Sequence, residues 1–287
     1  MLDDRGETYG FDKLLLATGG TARQLPFGDE GIVYFRTLED YRRLRVLADR
    51  GGRFAVVGGG FIGSEVAAAL ALQGREVAML FPDDGIGARI LPADLASFLV
   101  GYFAEKGVEV QPGQKMTNVR RGGRGFEVET ASGGRQAVDA VVAGLGIIPE
   151  TALAAAAGLE VDDGIVVDER LRTSHPAVFA AGDVARFTVP VLGTRIRVEH
   201  EDNAVTMGRA AGRSMAGVDE PDAYLPFFYS DLFDLGYEAV GALDPRSETC
   251  ADWKVRSVRA SSTTSQRGEC AACCSGIPGA RSMPPGR

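Results

Sequence analysis

Apolar residues gather in runs separated by glycine turns. The run Leu14-Leu15-Leu16-Ala17, closed by Thr18-Gly19-Gly20, predicts a buried strand. Such a strand needs partners on both sides, and the preceding residues supply none, so the chain reads as beginning within a domain. Residues 53–81 carry the pattern of a βαβ unit. Arg53–Val57 predicts a strand, Gly58–Gly63 a tight turn, 61–73 an alanine-rich helix stopped by Gly74, and Glu76–Phe81 a second strand. After Pro92, the residues Leu95, Phe98, Leu99, Tyr102 and Phe103 recur at helical spacing, and Val108–Val110 resumes the sheet. From 116 to 142 the period changes to two, with turns at Gly122-Gly123 and Gly133-Gly134, predicting an antiparallel meander. Gly164–Val167 and Val178–Asp183 add strands, a helical pattern occupies 201–216, and 221–255 is aromatic and strand-like.

With 287 residues, the chain is long enough for two cores or three. Its 45% hydrophobic and 24% charged content is that of a soluble globular protein. Lys plus Arg number 31 against 39 for Asp plus Glu, and the net charge of −8 argues against a nucleic-acid partner. No apolar run approaches the roughly 18 residues of a membrane span. No apolar signal region follows Met1, so the expected location is the cytoplasm. The four cysteines all lie at position 250 or beyond, and His175 and His200 are the only histidines, a poor stock for a metal centre.

The pattern Gly58-x-Gly60-x-x-Gly63 is weak alone, but here it follows a strand and opens a helix, as dinucleotide binding requires. The glycines permit a tight turn and close backbone approach, and the helix N-terminus then faces a pyrophosphate. The acidic ribose ligand expected at the end of the second strand is displaced: Phe81 holds that place and Asp83 comes two residues later. No arginine pair stands there for a 2′-phosphate, although Arg89 is near, so NAD is expected over NADP. Ala180-x-Gly182-Asp183 closes another strand with a carboxylate that can accept from a ribityl or ribose hydroxyl; in isolation it reads rather as an ordinary strand-end turn, and it gains weight from the motifs around it.

Four motifs in order resemble the pyridine-nucleotide flavoprotein reductases: Leu14–Gly20 with Arg23, the glycine-rich βαβ, Gly146-x-x-Pro149, and Ala180-x-Gly182-Asp183. Within them, Phe81-Pro82-Asp83-x-Gly85, Arg197-Val198-Glu199-His200, Phe228–Leu232 and Gly236-Tyr237-Glu238-Ala239 are most similar to the apoptosis-inducing factor branch. The resemblance runs from about residue 8 to about residue 255. It implies an α/β flavoprotein with two dinucleotide-binding domains, here with an incomplete FAD domain and the start of an α+β C-terminal domain. The implied division is 1–28 partial FAD-binding domain, 29–147 NAD-binding domain, 148–216 second part of the FAD-binding domain, 217–255 start of the C-terminal interface domain, and 256–287 tail.

By resemblance, Thr18, Gly19 and Arg23 belong to the FAD site, with Arg23 near the pyrophosphate, as do Gly182 and the ribityl ligand Asp183. Glu199 and His200 match the pair beside flavin and nicotinamide, at a helix whose positive end would favour the reduced, anionic flavin. Gly58, Gly60, Phe61, Ile62, Gly63, Glu65, Asp83, Arg89 and Gly146 match the NAD contacts, with Glu65 near the carboxamide. Tyr229 stands where the family usually has tryptophan, and Glu238 matches a further contact. The implied chemistry is hydride transfer from NADH to FAD, with Glu65, Glu199 and His200 closest to it and the electron acceptor unidentified. Homodimerisation is a property the resemblance leaves open.

The family's first glycine-rich fold would precede this chain, leaving half a FAD site. The alternative reading is therefore a non-catalytic NAD-binding fragment, or a split enzyme needing a separate FAD-binding chain. Beyond Val255 the Ser-, Thr-, Arg- and Cys-rich composition would ordinarily mean disorder, and Cys270-x-x-Cys273 would suggest a metal or redox pair. A one-base shift accounts for it better. Residues 260–276 can then spell Gly-Val-Val-Tyr-Tyr-Leu-Thr-Glu-Arg-Gly-Val-Arg-Gly-Val-Leu-Leu-Trp, a β-hairpin turning at Glu-Arg-Gly.

Overall fold

The computed structural model describes residues 2–28, 31–123, 125–222, 224–254, 259–266 and 269–278, with side chains through Cys250; Cys270 and Cys273 lie outside that side-chain description. In chain order the first elements are β1 (Leu14–Leu16), β2 (Gly20–Ala22), α1 (Leu38–Arg50), β3 (Arg53–Val57), α2 (Phe61–Leu72), β4 (Glu76–Phe81), α3 (Ala93–Glu105) and β5 (Glu109–Pro112). There follow β6 (Met116–Gly122), β7 (Gly125–Thr130), β8 (Arg135–Val138), β9 (Ala140–Ala143), β10 (Ile147–Pro149), α4 (Ala152–Ala156), β11 (Ile165–Val166) and β12 (Val178–Ala180). The chain continues with β13 (Ala185–Val189), β14 (Thr194–Arg197), α5 (Glu201–Met215), β15 (Phe227–Leu232), β16 (Leu235–Gly241), β17 (Glu248–Lys254), β18 (Arg259–Gln266) and β19 (Glu269–Pro278). Two compact units result, Met1–Thr21 with Ile148–Phe228 and Ala22–Ile147 with Tyr229–Arg287.

The larger unit is built on a parallel sheet of order β5-β4-β3-β9. Strands β3 and β4 are almost wholly buried, which is why their sequences are unbroken apolar runs. The crossover between them is α2, ended by Gln73 and by Gly74 at φ +71°. The meander β6-β7-β8 lies apart from that sheet, and its inward residues Met116, Val119, Phe126, Val128 and Val138 share a core with Ala55, Val57, Leu80 and Val141. Period two suggested that the meander continued to 142. Instead the four buried residues of β9 pair with β3, Phe54 opposite Ala140 and Val57 opposite Ala143. Helix α1 was not read from the apolar pattern; a capping box fixes its start, with Thr37 accepting from the Asp40 amide and Asp40 accepting from the Thr37 amide.

Strands β15 to β19 form one sheet of order β15-β16-β19-β18-β17. The antiparallel β16–β19 register sets Leu235 opposite Pro278 and Gly241 opposite Ala272. The visible composition of the tail reads as disorder, yet its backbone runs as the paired strands β18 and β19. The shifted reading places its turn at 267–269, of which 267 and 268 lie outside the described residues.

In the smaller unit, β1 pairs in parallel with β12, Leu14 opposite Val178 and Leu16 opposite Ala180. Leu16 is buried, whereas Leu14 and Leu15 are half-buried, consistent with a strand that has β12 on one side. Strand β13 pairs with β11 in parallel and with β14 antiparallel. Ile165, Val184, Phe187, Met207 and Ala211 fill the core beneath α5. Among the described residues no helix is long and apolar enough to cross a membrane.

Candidate nucleotide-binding sites

The glycine turn after β3 is held from below: the Gly58 amide donates to the Leu80 carbonyl at 2.9 Å, and the Gly144 amide to the Val57 carbonyl at 2.8 Å. Gly58 has φ +116°, and a Cβ there would lie 2.2 Å from the Gly144 oxygen. A Cβ on Gly63 would lie 2.0 Å from the Gly58 oxygen, so the helix can close on the turn only without one. Gly60 differs. A Cβ there would meet no atom within 4 Å, and no side chain caps α2 at this end. The turn therefore leaves an open space before the partial positive charge of a 12-residue helix with no acidic residue in its first turn. That is the shape and polarity a diphosphate requires.

Three groups flank this space within the larger unit. Asp83, half-buried just beyond β4, is paired with Arg89, whose Nε lies 3.2 Å from Oδ2. The loop between them is tied to the turn by the Gly87 amide, which donates to the Gly59 carbonyl at 2.7 Å. Phe61, first in α2, stacks on Tyr237 of β16 with centroids 6.4 Å apart. Glu65, one helical turn further, is exposed and accepts a 2.7 Å hydrogen bond from the buried Ser230 hydroxyl of β15. Ile62 is half-buried on the same end of α2, and Gly146 has φ +81° with open space at its Cβ position. Tyr229 and Glu238 are exposed on β15 and β16. Arg23 opens this unit; its amide donates to the Gly146 carbonyl at 2.9 Å.

The hairpin carrying Ser230 and Tyr237 is anchored on α3. Its turn residue Phe233, at φ +62°, packs edge-on against Phe103 with centroids 5.1 Å apart. Tyr102 donates to Asp234 at 2.6 Å, and Lys106 also pairs with that carboxylate. The Lys106 and Tyr102 hydrogen bonds hold the Asp234 carboxyl down at about 2. Burial, then Asp234, push the Tyr102 phenol well above its ordinary range.

In the smaller unit, the Thr18 hydroxyl donates to the Glu150 carbonyl at 2.6 Å, and the Glu150 amide to the Gly19 carbonyl at 2.9 Å. Gly182, at φ +77°, starts a 3₁₀ turn that leaves Asp183 half-buried at the end of β12. Arg197 links this turn to the next motif, donating to the Asp183 carbonyl at 3.2 Å and to the Glu199 carboxylate at 2.7 Å. His200 is the N-cap of α5: its Nδ1 accepts from the Asp202 amide at 3.4 Å. Its ring meets Phe228 edge-on at 5.9 Å. Helix α5 carries the His200 cap and has Glu201 and Asp202 in its first turn. Of these groups, Ser230, Arg197 and the Phe233 anchor were not singled out as site residues in the sequence; Ser230 and Arg197 lie within the quoted motifs, and Phe233 directly after one.

Residues 1–208 match the family described as pyridine nucleotide-disulphide oxidoreductase. The ferredoxin–NAD(+) reductase component of the anthranilate 1,2-dioxygenase system of Burkholderia cepacia is 41% identical over 246 residues, covering 84% of this chain and 60% of that protein. The rubredoxin–NAD(+) reductase of Pseudomonas putida is 36% identical, with 83% and 63% covered. The mitochondrial apoptosis-inducing factor 1 of Dictyostelium discoideum is 36% identical, with 88% and 50% covered. This chain thus spans about half to two thirds of the length of these relatives. Among solved structures, that of the covalent putidaredoxin reductase–putidaredoxin complex superimposes with a TM-score of 0.89 at 30% identity, covering 95% of this chain and 68% of that one. With a family match across most of its length and the glycine turn in its expected setting, the chain belongs to the pyridine nucleotide-disulphide oxidoreductase family.

Proposed function

We propose that this chain carries the NADH-binding half and part of the FAD-binding half of a flavoprotein reductase that passes electrons to a small soluble redox protein. The observation that carries this reading is the N-terminus of α2, without a side-chain cap and facing open space at Gly60. The α2 amides would hold the NADH diphosphate, Asp83 the adenosine ribose, and Glu65 the amide end of the nicotinamide, with Ile62, Gly146, Tyr229 and Glu238 around it. Asp183 offers a carboxylate for a polyol hydroxyl, Thr18 and Gly19 the adjoining backbone, and Arg23 a cation for the FAD diphosphate. Glu199, paired with Arg197, and His200, the N-cap of α5, would line the flavin edge. When bound, FAD supplies the two-electron to one-electron conversion; the protein contributes orientation and electrostatics. The acceptor class is supported by relatives named as ferredoxin and rubredoxin reductases.

The test is anaerobic addition of NADH to the protein after incubation with FAD and removal of free flavin. Whatever flavin the chain retains should bleach, faster with NADH than with NADPH. A flavin-loaded protein left oxidised by NADH would contradict the reading. The sequence contains one Gly-x-Gly-x-x-Gly turn, which favours a second reading, an NADH-binding unit that works with another FAD-binding chain. Binding of NADH without retention of FAD would select it.

A further inference from the structure

We infer that Ser230 is a positioning residue for Glu65, and that through it the C-terminal sheet sets the affinity of the nicotinamide end of the site. This inference rests on the proposed NADH site. Ser230 is 2% exposed and its Oγ donates to Glu65 Oε1 at 2.7 Å, across 165 residues of sequence. A buried hydroxyl bonded to an exposed carboxylate restricts that carboxylate to few orientations, whereas a free glutamate samples many rotamers.

Both partners are themselves fixed. Glu65 stands on α2, four residues after Phe61 and therefore on the same face. Ser230 belongs to a hairpin pinned at its turn by Phe233 against Phe103 and by Asp234 against Tyr102 and Lys106, and pinned again where Tyr237 stacks on Phe61. The face of α2 carrying Phe61 and Glu65 thus meets the hairpin at two points. In the proposed binding mode the diphosphate lies at Gly60, one ribose at Asp83 and the nicotinamide end at Glu65. A preoriented carboxylate there accepts from an amide N–H₂ without first losing side-chain freedom on binding.

The experiment compares NADH with ADP-ribose, which keeps the diphosphate and both riboses but lacks the nicotinamide, by calorimetric titration of the full chain. Ser230→Ala should weaken NADH roughly two- to tenfold, the range for one side chain left to be ordered on binding, with ADP-ribose unchanged. Ser230→Thr, which keeps the hydroxyl, should restore NADH affinity. In a Glu65→Ala background, Ser230→Ala should add nothing. Thermal unfolding of each variant controls for lost structure. Equal weakening of both ligands, or no weakening of either, would overturn the role of Ser230 while leaving the NADH site standing. A wild-type chain that binds neither ligand would overturn the site and this inference together.

Discussion

The Arg89 guanidinium lies 3.2 Å from the Asp83 carboxylate, so the acidic group that should greet an NADH ribose is already paired with a cation. Arg89 is 75% exposed, and a pair so open to water adds little stability. Its consequence is for selectivity. Asp83→Asn removes the negative charge and releases Arg89 toward any 2′-phosphate. NADPH affinity should rise relative to NADH by about tenfold, on the order of 1–2 kcal/mol for a close charge contact. Arg89→Ala should widen the NADH preference instead. Fluorescence titration with both cofactors checks this; identical responses of NADH and NADPH to either substitution would refute it.

Two glycines of one motif should behave differently. Gly63→Ala places a methyl 2.0 Å from the Gly58 oxygen and should cost several kcal/mol of stability. Gly60→Ala meets no protein atom within 4 Å and keeps an extended backbone, so its unfolding free energy should change by about 1 kcal/mol or less. The same methyl fills the space assigned to the diphosphate and should abolish NADH binding. Urea unfolding paired with NADH titration separates the two; a Gly60→Ala protein that binds NADH normally would remove the diphosphate from this turn.

Tyr224 donates to Asp202 at 2.7 Å, in the first turn of α5, and its phenol is pushed up to about 12, first by burial and then by that hydrogen bond. A folded value above the unfolded value of about 10 favours folding while the phenol is protonated. That contribution is intact below about pH 10 and lost as pH rises toward 12. Tyr224→Phe should therefore be less stable than wild type by about 1 kcal/mol at pH 8, and the gap should close as pH climbs through that window. Urea unfolding at stepped pH measures it, and a gap unchanged to the top of the window would contradict the assignment.

Much of the nucleotide half-site was legible because its determinants are local. The apolar run of β3, the glycine turn and the alanine-rich α2 are contiguous, and Asp83 follows β4 directly. Helix α1 was missed although Tyr41, Leu44, Leu47 and Ala48 recur at helical spacing, because four arginines interrupt the apolar residues and its start rests on a Thr37–Asp40 exchange of hydrogen bonds. The end of the meander was missed because Ala140–Ala143 fits a short antiparallel strand as well as the parallel one it forms; only pairing with β3 decides. Ser230 and the Phe233 anchor could not emerge, because each acts on a helix more than a hundred residues earlier, and period and propensity carry no information on such contacts.

The tail invites a genetic test. Strands β18 and β19 occupy the two arms that the shifted reading of residues 260–276 assigns to a hairpin. The gene should carry a one-base insertion or deletion near codons 254–259. Resequencing that returns an unambiguous frame, with codons incompatible with the shifted peptide, would remove this claim.

The central claim is that NADH lies across the N-terminus of α2, and hydrogen–deuterium exchange of the chain with and without NADH tests it most directly. The account predicts slowed exchange in the Gly58–Glu65 turn and first helical turns, in the Asp83–Arg89 loop, and in the hairpin from Tyr229 to Glu238. Slowed exchange confined to other segments, with the Gly58–Glu65 amides unaffected at saturating NADH, would contradict it.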